Sequence, residues 1–336
     1  MRIRLLRHLT AGFVIGMSLI TIPPSGSYAG DNSFPERSIT NGSVKLILLL
    51  PDKASGYYRG TRFDWSGIIR RAEYKGHNFF GAWRDHHDPD NHDDVMGPAE
   101  EFGVLGYAQA KSGGKFLKIG VGELAKEVDK SYEFWHTYRI LKPGEWNITC
   151  GKDWIEFQQD LRTADGWAYH YMKRIELARD QPSFTIKHAL KNTGGKRIET
   201  DQYCHNFTLI DDEPIGPAYR IRFSFGRDPP EEVAINKIAY LKGKEIGFHK
   251  EIGADQSVST LLGGLAGRAE DNQATIVNSK TGAGLRFQGD RALIKYNFWA
   301  TRKAACPEPF IAINLDPGQE LEWTTRYTLF TTNAGR

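Results

Sequence analysis

Three short segments of this 336-residue chain carry side chains able to move protons or hold a polar ligand. In Thr200-Asp-Gln-Tyr-Cys-His-Asn-Phe-Thr-Leu-Ile-Asp211, His205 stands between the aromatic residues Tyr203 and Phe207 and beside Asn206. An imidazole has a reference pKa of about 6.5, so it can give or take a proton near neutrality. A hydrogen-bonded core histidine would have the same neighbours. Far downstream, Ala305-Cys-Pro-Glu-Pro-Phe310 sets Glu308 between two prolines. Proline fixes φ and removes a backbone donor, which suits a carboxylate that must be aimed; an edge strand or a turn is the plainer alternative. Earlier, Tyr57-Tyr-Arg-Gly-Thr-Arg-Phe-Asp-Trp-Ser-Gly67 gathers two arginines and four aromatic rings around glycine. Flat rings match pyranose faces and forked guanidinium donors match hydroxyls, as on a sugar-binding surface, unless the segment is a solvated hairpin.

A fourth tract, Asp85-His-His-Asp-Pro-Asp-Asn-His-Asp-Asp94, could bind Ca²⁺ through Asp88, Asp90 and Asp94, or a transition metal through its histidines. It lacks the glycine of an EF-hand loop, and charged runs without a template are usually solvated. No metal is assigned to it.

The elements that must position these residues are strands. From about residue 43 the apolar pattern has period two, in short runs broken by Gly, Pro, Asn and Asp. Between Trp167 and Leu177 the odd positions hold Trp167, Tyr169, Tyr171, Ile175 and Leu177; Phe184, Ile186 and Leu190 repeat the pattern after Asp180-Gln181-Pro182, which predicts a hairpin. Leu321, Trp323, Tyr327 and Leu329 predict another strand leaving the Asp316-Pro317-Gly318 turn. No long helical stripe and no strand–helix alternation appears. The expected fold is all-β: one large antiparallel β-sandwich, a single domain over residues 30–336. Alternation puts Tyr203, His205 and Phe207 on one face and turns Cys204 away. The irregular stretch from Gly76 to Gly114 is expected to overhang a site.

At the N-terminus Arg2, Arg4 and Arg7 precede an uncharged run from Leu9 to Ile22, then Pro23-Pro24 and Ser27-Tyr28-Ala29. This is the layout of a signal peptide over residues 1–29, and the run is shorter than the roughly 20 residues that span a bilayer. The expectation is a secreted or periplasmic protein with no membrane span after its removal. Loss of those three arginines turns a net charge of +3 into equality, with 41 basic and 41 acidic side chains. Neutrality argues against a nucleic-acid partner, which demands a basic surface. Cys150, Cys204 and Cys306 allow at most one disulfide, so no cystine framework holds the fold.

In their order along residues 43–331, the segments resemble the galactose mutarotase-like superfamily of aldose 1-epimerases and hexose mutarotases. Gly60-Thr61-Arg62 is similar to its early Gly-Arg segment. Cys204-His205-Asn206-Phe207 is similar to its Asn-His-aromatic strand, with Cys in place of the first Asn. Glu308-Pro309 matches its late Glu-Pro, and Leu315–Trp323 its final Pro-Gly turn and strand. The resemblance implies a β-supersandwich that binds a sugar or the end of a glycan and opens a hemiacetal without metal or organic cofactor. His205 would be the general acid on the ring oxygen and Glu308 the general base on the anomeric hydroxyl, gripping opposite sides of one pyranose ring. Arg62 would hold a ring hydroxyl or the developing charge. His92, Asn206 and Asp211 are the further substrate-binding candidates; His92 is chosen over His77, His86 and His87 as counterpart of the family's second histidine. Two other readings stand beside the epimerase: a non-catalytic carbohydrate-binding protein, and a glycoside hydrolase or lyase pairing Glu308 with Asp211 or Asp212.

Overall fold

Wherever the sequence alternates, the backbone is extended. A computed structural model describes residues 34–226 and 231–332, and the leader expected over residues 1–29 lies outside them. The described residues hold twenty-three strands and one short 3-10 turn. The strands form sheets of eleven, five, four and three, and the chain from Phe34 onward is one compact unit. No described helix is long and apolar enough to cross a membrane.

The predicted hairpin is Ala168–Leu177 paired antiparallel with Ser183–Asn192, with Ile175 opposite Ile186. Its connection uses Asp180 at φ 56°, a left-handed conformation that aspartate tolerates better than most residues. Ser183–Asn192 pairs in turn with Glu320–Thr331, which leaves its turn through Gly318 at φ 86°. Tyr169, Tyr171, Ile175 and Leu177 are buried as the alternation requires, while Trp167 lies half-buried just before the strand. The same buried row contains Lys173, a charge that the apolar pattern did not announce.

The five-stranded sheet positions the site. Its order is Val258–Leu261, Lys295–Thr301, Ala304–Leu315, Ile198–Phe207, Gly97–Phe102. The last three are called here the glutamate strand, the histidine strand and the tandem-glutamate strand. One face of this sheet packs on the eleven-stranded sheet: the Tyr327 hydroxyl donates to Asn206 Oδ1 at 2.8 Å. The other face carries a separate apolar cluster that includes Tyr58, Phe63, Tyr203, Phe207 and Phe310.

Between the two large sheets lies a buried charge cluster. Lys173 Nζ is 2.7 Å from both Asp64 and Glu100, and donates to the Ser66 carbonyl at 3.0 Å. Glu100 also lies 2.8 Å from His188 Nε2 and accepts from Gln202 at 3.0 Å. Burial pushes the Glu100 carboxyl up, but His188 and Lys173 outweigh it and hold it down at about 2. Burial pulls the Lys173 ammonium down, and Asp64 with Glu100 more than reverses that, so the ions persist in the dry interior. Breaking such a cluster by removing one partner strands the rest. Lys173→Met is expected to lower the unfolding free energy by about 3–5 kcal/mol in urea denaturation, because two buried carboxylates lose their cation. A loss below about 1 kcal/mol would show that the cluster is not ionised.

Candidate active site

Strand register alone sets His205 against Glu308. The histidine and glutamate strands pair up to Tyr203 opposite Phe310, and the isolated bridge Thr208–Ala305 beyond keeps the same register. Between these points His205 faces Glu308, and Nε2 lies 3.1 Å from Oε1. The prolines explain the gap in the ladder. Pro307 and Pro309 lack N–H groups where the histidine strand would otherwise be bonded. In place of one missing bond, the Asn206 side-chain amide donates to the Pro307 carbonyl at 2.8 Å. On its other side the glutamate strand pairs without interruption, bringing Asn297 opposite Glu308 to donate to Oε2 at 2.8 Å. Glu308 therefore lies inside a twelve-residue strand, not at an edge or in a turn.

Both side chains are only 5% exposed. The His205 ring stacks on Phe207 at 4.0 Å and meets Trp299 and Phe63 edge-on. Trp83 stacks on the far side of Phe207 and crosses Trp299 at 81°. His205 Nδ1 is buried, and among the described residues it has no hydrogen-bond partner. Burial, reinforced by the Arg62 charge, pushes His205 well below the usual histidine range, so the ring is neutral. Burial pushes the Glu308 carboxyl up to about 7, against the pull of the Asn297 hydrogen bond and the charges of Arg62 and Lys295. The contact is thus an imidazole against a carboxyl group that holds or releases its proton at neutrality. At 3.1 Å no ring fits between these two atoms, so the pair forms one unit and not two jaws.

Arg62 is close to this unit but does not present a free fork. Its Nε donates to Glu101 Oε2 at 2.8 Å and its Nη2 to the Tyr203 hydroxyl at 2.7 Å, while Tyr203 donates to the same Glu101 oxygen at 2.6 Å. Lys118 Nζ, fully buried, holds the other Glu101 oxygen at 2.7 Å and donates to the Tyr132 hydroxyl at 2.7 Å. Burial raises the Glu101 carboxyl, but Lys118 and Arg62 together bring it below its ordinary value. The Phe134 ring lies 4.3 Å from the Arg62 guanidinium, and His92 faces Phe134 at 6.1 Å. His92 is therefore the one histidine of the 77–92 group that the structure brings to this cluster. Burial lowers its pKa against the opposing charge of Asp93.

Two other candidates point elsewhere. Asn206 is fully buried on the opposite face of the histidine strand, bonded to Tyr327 and Pro307, because alternation gives it the inter-sheet side. It braces the strand and cannot touch a ligand on the His205 face. Asp211 follows the strand in a left-handed turn at φ 58°, where its carboxylate accepts from the Asn78 N–H at 2.9 Å and meets His77 Nδ1 at 2.8 Å. Both oxygens are spent anchoring the short strand His77–Asn78, which removes Asp211 as a substrate contact and as a carboxylate partner for Glu308. Cys204 faces away from His205 as expected, with Sγ 3.4 Å from the Tyr327 hydroxyl, and all three cysteines are free. In the 85–94 tract Asp93 pairs with Arg84, Asp90 with Arg59 and Asp85 with Lys303, Asp94 meets the His87 ring, and Asp88 accepts from the Asp90 N–H. Among the described residues no three His, Cys, Asp or Glu side chains converge on a metal position.

Sequence reasoning missed Glu101, Lys118, Asn297 and the Trp83, Phe134 and Trp299 rings. One signal was available. Glu100-Glu101 is a tandem acid pair inside Gly97–Phe102, a strand buried along its whole length.

No protein-family model and no curated protein sequence matches the chain. Solved structures do. A candidate aldose 1-epimerase from Escherichia coli K12 aligns with a TM-score of 0.53 at 15% identity, covering 88% of this chain and 99% of that one. An aldose epimerase homologue from Caenorhabditis elegans gives 0.53 at 10% identity over 89% and 99% of the two chains. A galactose mutarotase-like protein from Lactobacillus casei ATCC 334 gives 0.51 at 11% identity over 88% and 100%. At these identities the likeness establishes the fold, the galactose mutarotase-like supersandwich.

The ionisation of Glu308 is directly measurable. Carboxyl ¹³C NMR of glutamate-labelled protein should show one side chain titrating near pH 7, and Glu308→Gln should remove that signal. The stability sign follows: between 4.5 and about 7 the folded state binds more protons here than the unfolded chain, so this group's contribution falls as pH rises through that window and is flat above it. A Glu308 midpoint below about 5, near the reference range, would refute the assignment.

Proposed function

We propose that the protein is an aldose 1-epimerase-like enzyme, interconverting the anomers of a sugar or of a glycan's reducing end by acid–base ring opening. The observation that carries this reading is the buried His205–Glu308 contact at 3.1 Å on the aromatic face of a mutarotase-like fold. Opening a hemiacetal requires a proton to leave the anomeric hydroxyl and another to reach the ring oxygen. Both oxygens are bonded to the same carbon. Two proton-handling atoms a few ångströms apart can therefore address both from one side, exchanging their contact with each other for contacts with the sugar.

The pair shares one proton near neutrality. In one arrangement His205 is an imidazolium and Glu308 a carboxylate; in the other both are neutral, and burial favours the neutral form. Whichever member holds the proton delivers it to the ring oxygen, and the other accepts the anomeric proton. The count of protons on the pair is unchanged when the aldehyde forms. Rotation about C1–C2 and reclosure with the roles exchanged give the other anomer. A positioned acid or base supplies about 10²–10⁴-fold each, enough for a reaction already measurable in water. Arg62, held rigid by Glu101 and Tyr203, supplies a fixed positive charge beside the developing oxyanion. The hydrolase reading has less support, since Asp211 is committed to His77 and Asn78, and Glu101 to Arg62 and Lys118. The expected leader would place this activity in a secreted or periplasmic setting, where free sugars and glycan ends are the available substrates.

Polarimetry of freshly dissolved α-glucose and α-galactose tests the reading. Wild type should speed the decay of optical rotation, and His205→Asn and Glu308→Gln should each lower turnover by at least about a hundredfold while keeping the circular dichroism of the wild type. Decay at the buffer rate with sugar still bound would establish the non-catalytic binding protein instead.

A further inference from the structure

A cleft lies at the far end of the same strand face. The odd residues Glu199, Asp201, Tyr203 and His205 share one side of the histidine strand, and Glu199 lines a cleft of about 1040 Å³. At about 3.3 Å per residue, Glu199 and His205 are roughly 20 Å apart along that face. The two places also share a wall. Tyr132 borders the cleft, and its hydroxyl accepts from Lys118, which holds Glu101, which holds Arg62.

The lining is that of a saccharide track. Trp167 is half-buried and borders both this cleft and an adjoining hollow of about 350 Å³, so its indole is a ring shared by two compartments. Gly106 makes room for it: a Cβ there would lie 3.2 Å from Trp167 Nε1, and the residue's φ of +80° already favours glycine. Half-buried Tyr132 adds a further ring edge, backed by buried Tyr107, and Arg197, paired with Asp316 and 3.8 Å from Glu199, adds an exposed donor. The exposed charges are mixed in sign, with Lys130 and Arg197 against Asp129 and Glu199, while buried Lys126 donates to the Tyr107 and Ala110 carbonyls. Mixed donors and acceptors suit neutral hydroxyls, which do both, better than a polyanion, which would ask for cations alone. Small-ligand sites run to about 300–1000 Å³ for drug-sized molecules, so one monosaccharide would leave this cleft mostly empty.

We infer that the cleft between Tyr132, Trp167 and Glu199 binds the distal units of a neutral oligosaccharide whose terminal sugar reaches His205 and Glu308. The inference rests on the proposed sugar chemistry of that pair for its direction, and narrows the substrate from a free hexose to a chain end.

The test uses the full-length protein and three probes, malto-, cello- and galacto-oligosaccharides of one to five units, with binding by calorimetry and turnover by polarimetry. In at least one series, affinity should rise about tenfold or more from one unit to four, as expected when further rings stack and hydrogen-bond. Trp167→Ala should erase that gain while leaving monosaccharide turnover within about twofold of wild type. Arg197→Gln, a surface change that spares the core, should reduce the gain by several-fold. Affinity independent of chain length in all three series overturns the cleft assignment even if monosaccharides are epimerised. A length-dependent gain that survives both substitutions also overturns it. Length-dependent binding lost in Trp167→Ala but without any turnover supports the cleft and refutes the epimerase reading instead.

Discussion

Around the His205–Glu308 pairing the five-stranded sheet is buried on both faces, so this stretch of its central strands has no solvent side on which to place a polar residue. Every polar group there must find a partner inside the protein. Gly97–Phe102 shows the consequence most clearly. Its consecutive glutamates point to opposite sides: Glu100 meets Lys173 and His188 between the large sheets, and Glu101 meets Lys118 and Arg62 on the site face. The histidine strand divides its residues in the same way, with Asn206 tied to Tyr327 on one side and His205 against Glu308 on the other. What looks like a catalytic pair is thus one of several solutions to a single problem of buried polarity.

Comparison of the three buried glutamates isolates what makes Glu308 different. Glu100, Glu101 and Glu308 are similarly sequestered, at 2%, 7% and 4% exposure, yet Glu100 is held at about 2 and Glu308 rises to about 7. Burial is common to all three and cannot separate them. The difference is the partner: Glu100 and Glu101 each touch a buried ammonium, whereas Glu308 touches a neutral amide and a neutral ring. Desolvation without a contacting cation leaves a carboxyl group indifferent to its proton at neutral pH, as proton transfer requires. The nearby Arg62 charge is already committed to Glu101 and only tempers the rise.

Much of this was legible from local pattern. Period-two alternation gave the all-β architecture, the hairpin of Ala168–Leu177 and Ser183–Asn192, the separation of Cys204 from His205, and the shared face of Tyr203, His205 and Phe207. What was not legible depends on neighbours across strands. Asn206 adjoins His205 in sequence, but alternation sends it to the inter-sheet core. Asp211 was misplaced because a left-handed turn at φ 58° redirects the chain immediately after the strand. Lys173, Lys118 and Glu101 read as surface charges until their partners are known, and those partners lie between 14 and 109 positions away along the chain.

The prolines that bracket Glu308 also bear on how the buried pair could admit a guest. Between the Tyr203–Phe310 pairing and the Thr208–Ala305 bridge the ladder of the histidine and glutamate strands is interrupted, and the Asn206 side-chain bond to Pro307 and the His205–Glu308 contact cross the interval. Each strand is firmly laced on its outer side, to Gly97–Phe102 and to Lys295–Thr301 respectively. The interval behaves as an unstitched seam in an otherwise sewn fabric. Two missing proline donors thin the stitching around His205 and Glu308, while the cloth on both sides stays whole, so parting this pair disturbs less backbone bonding than parting residues in an unbroken ladder.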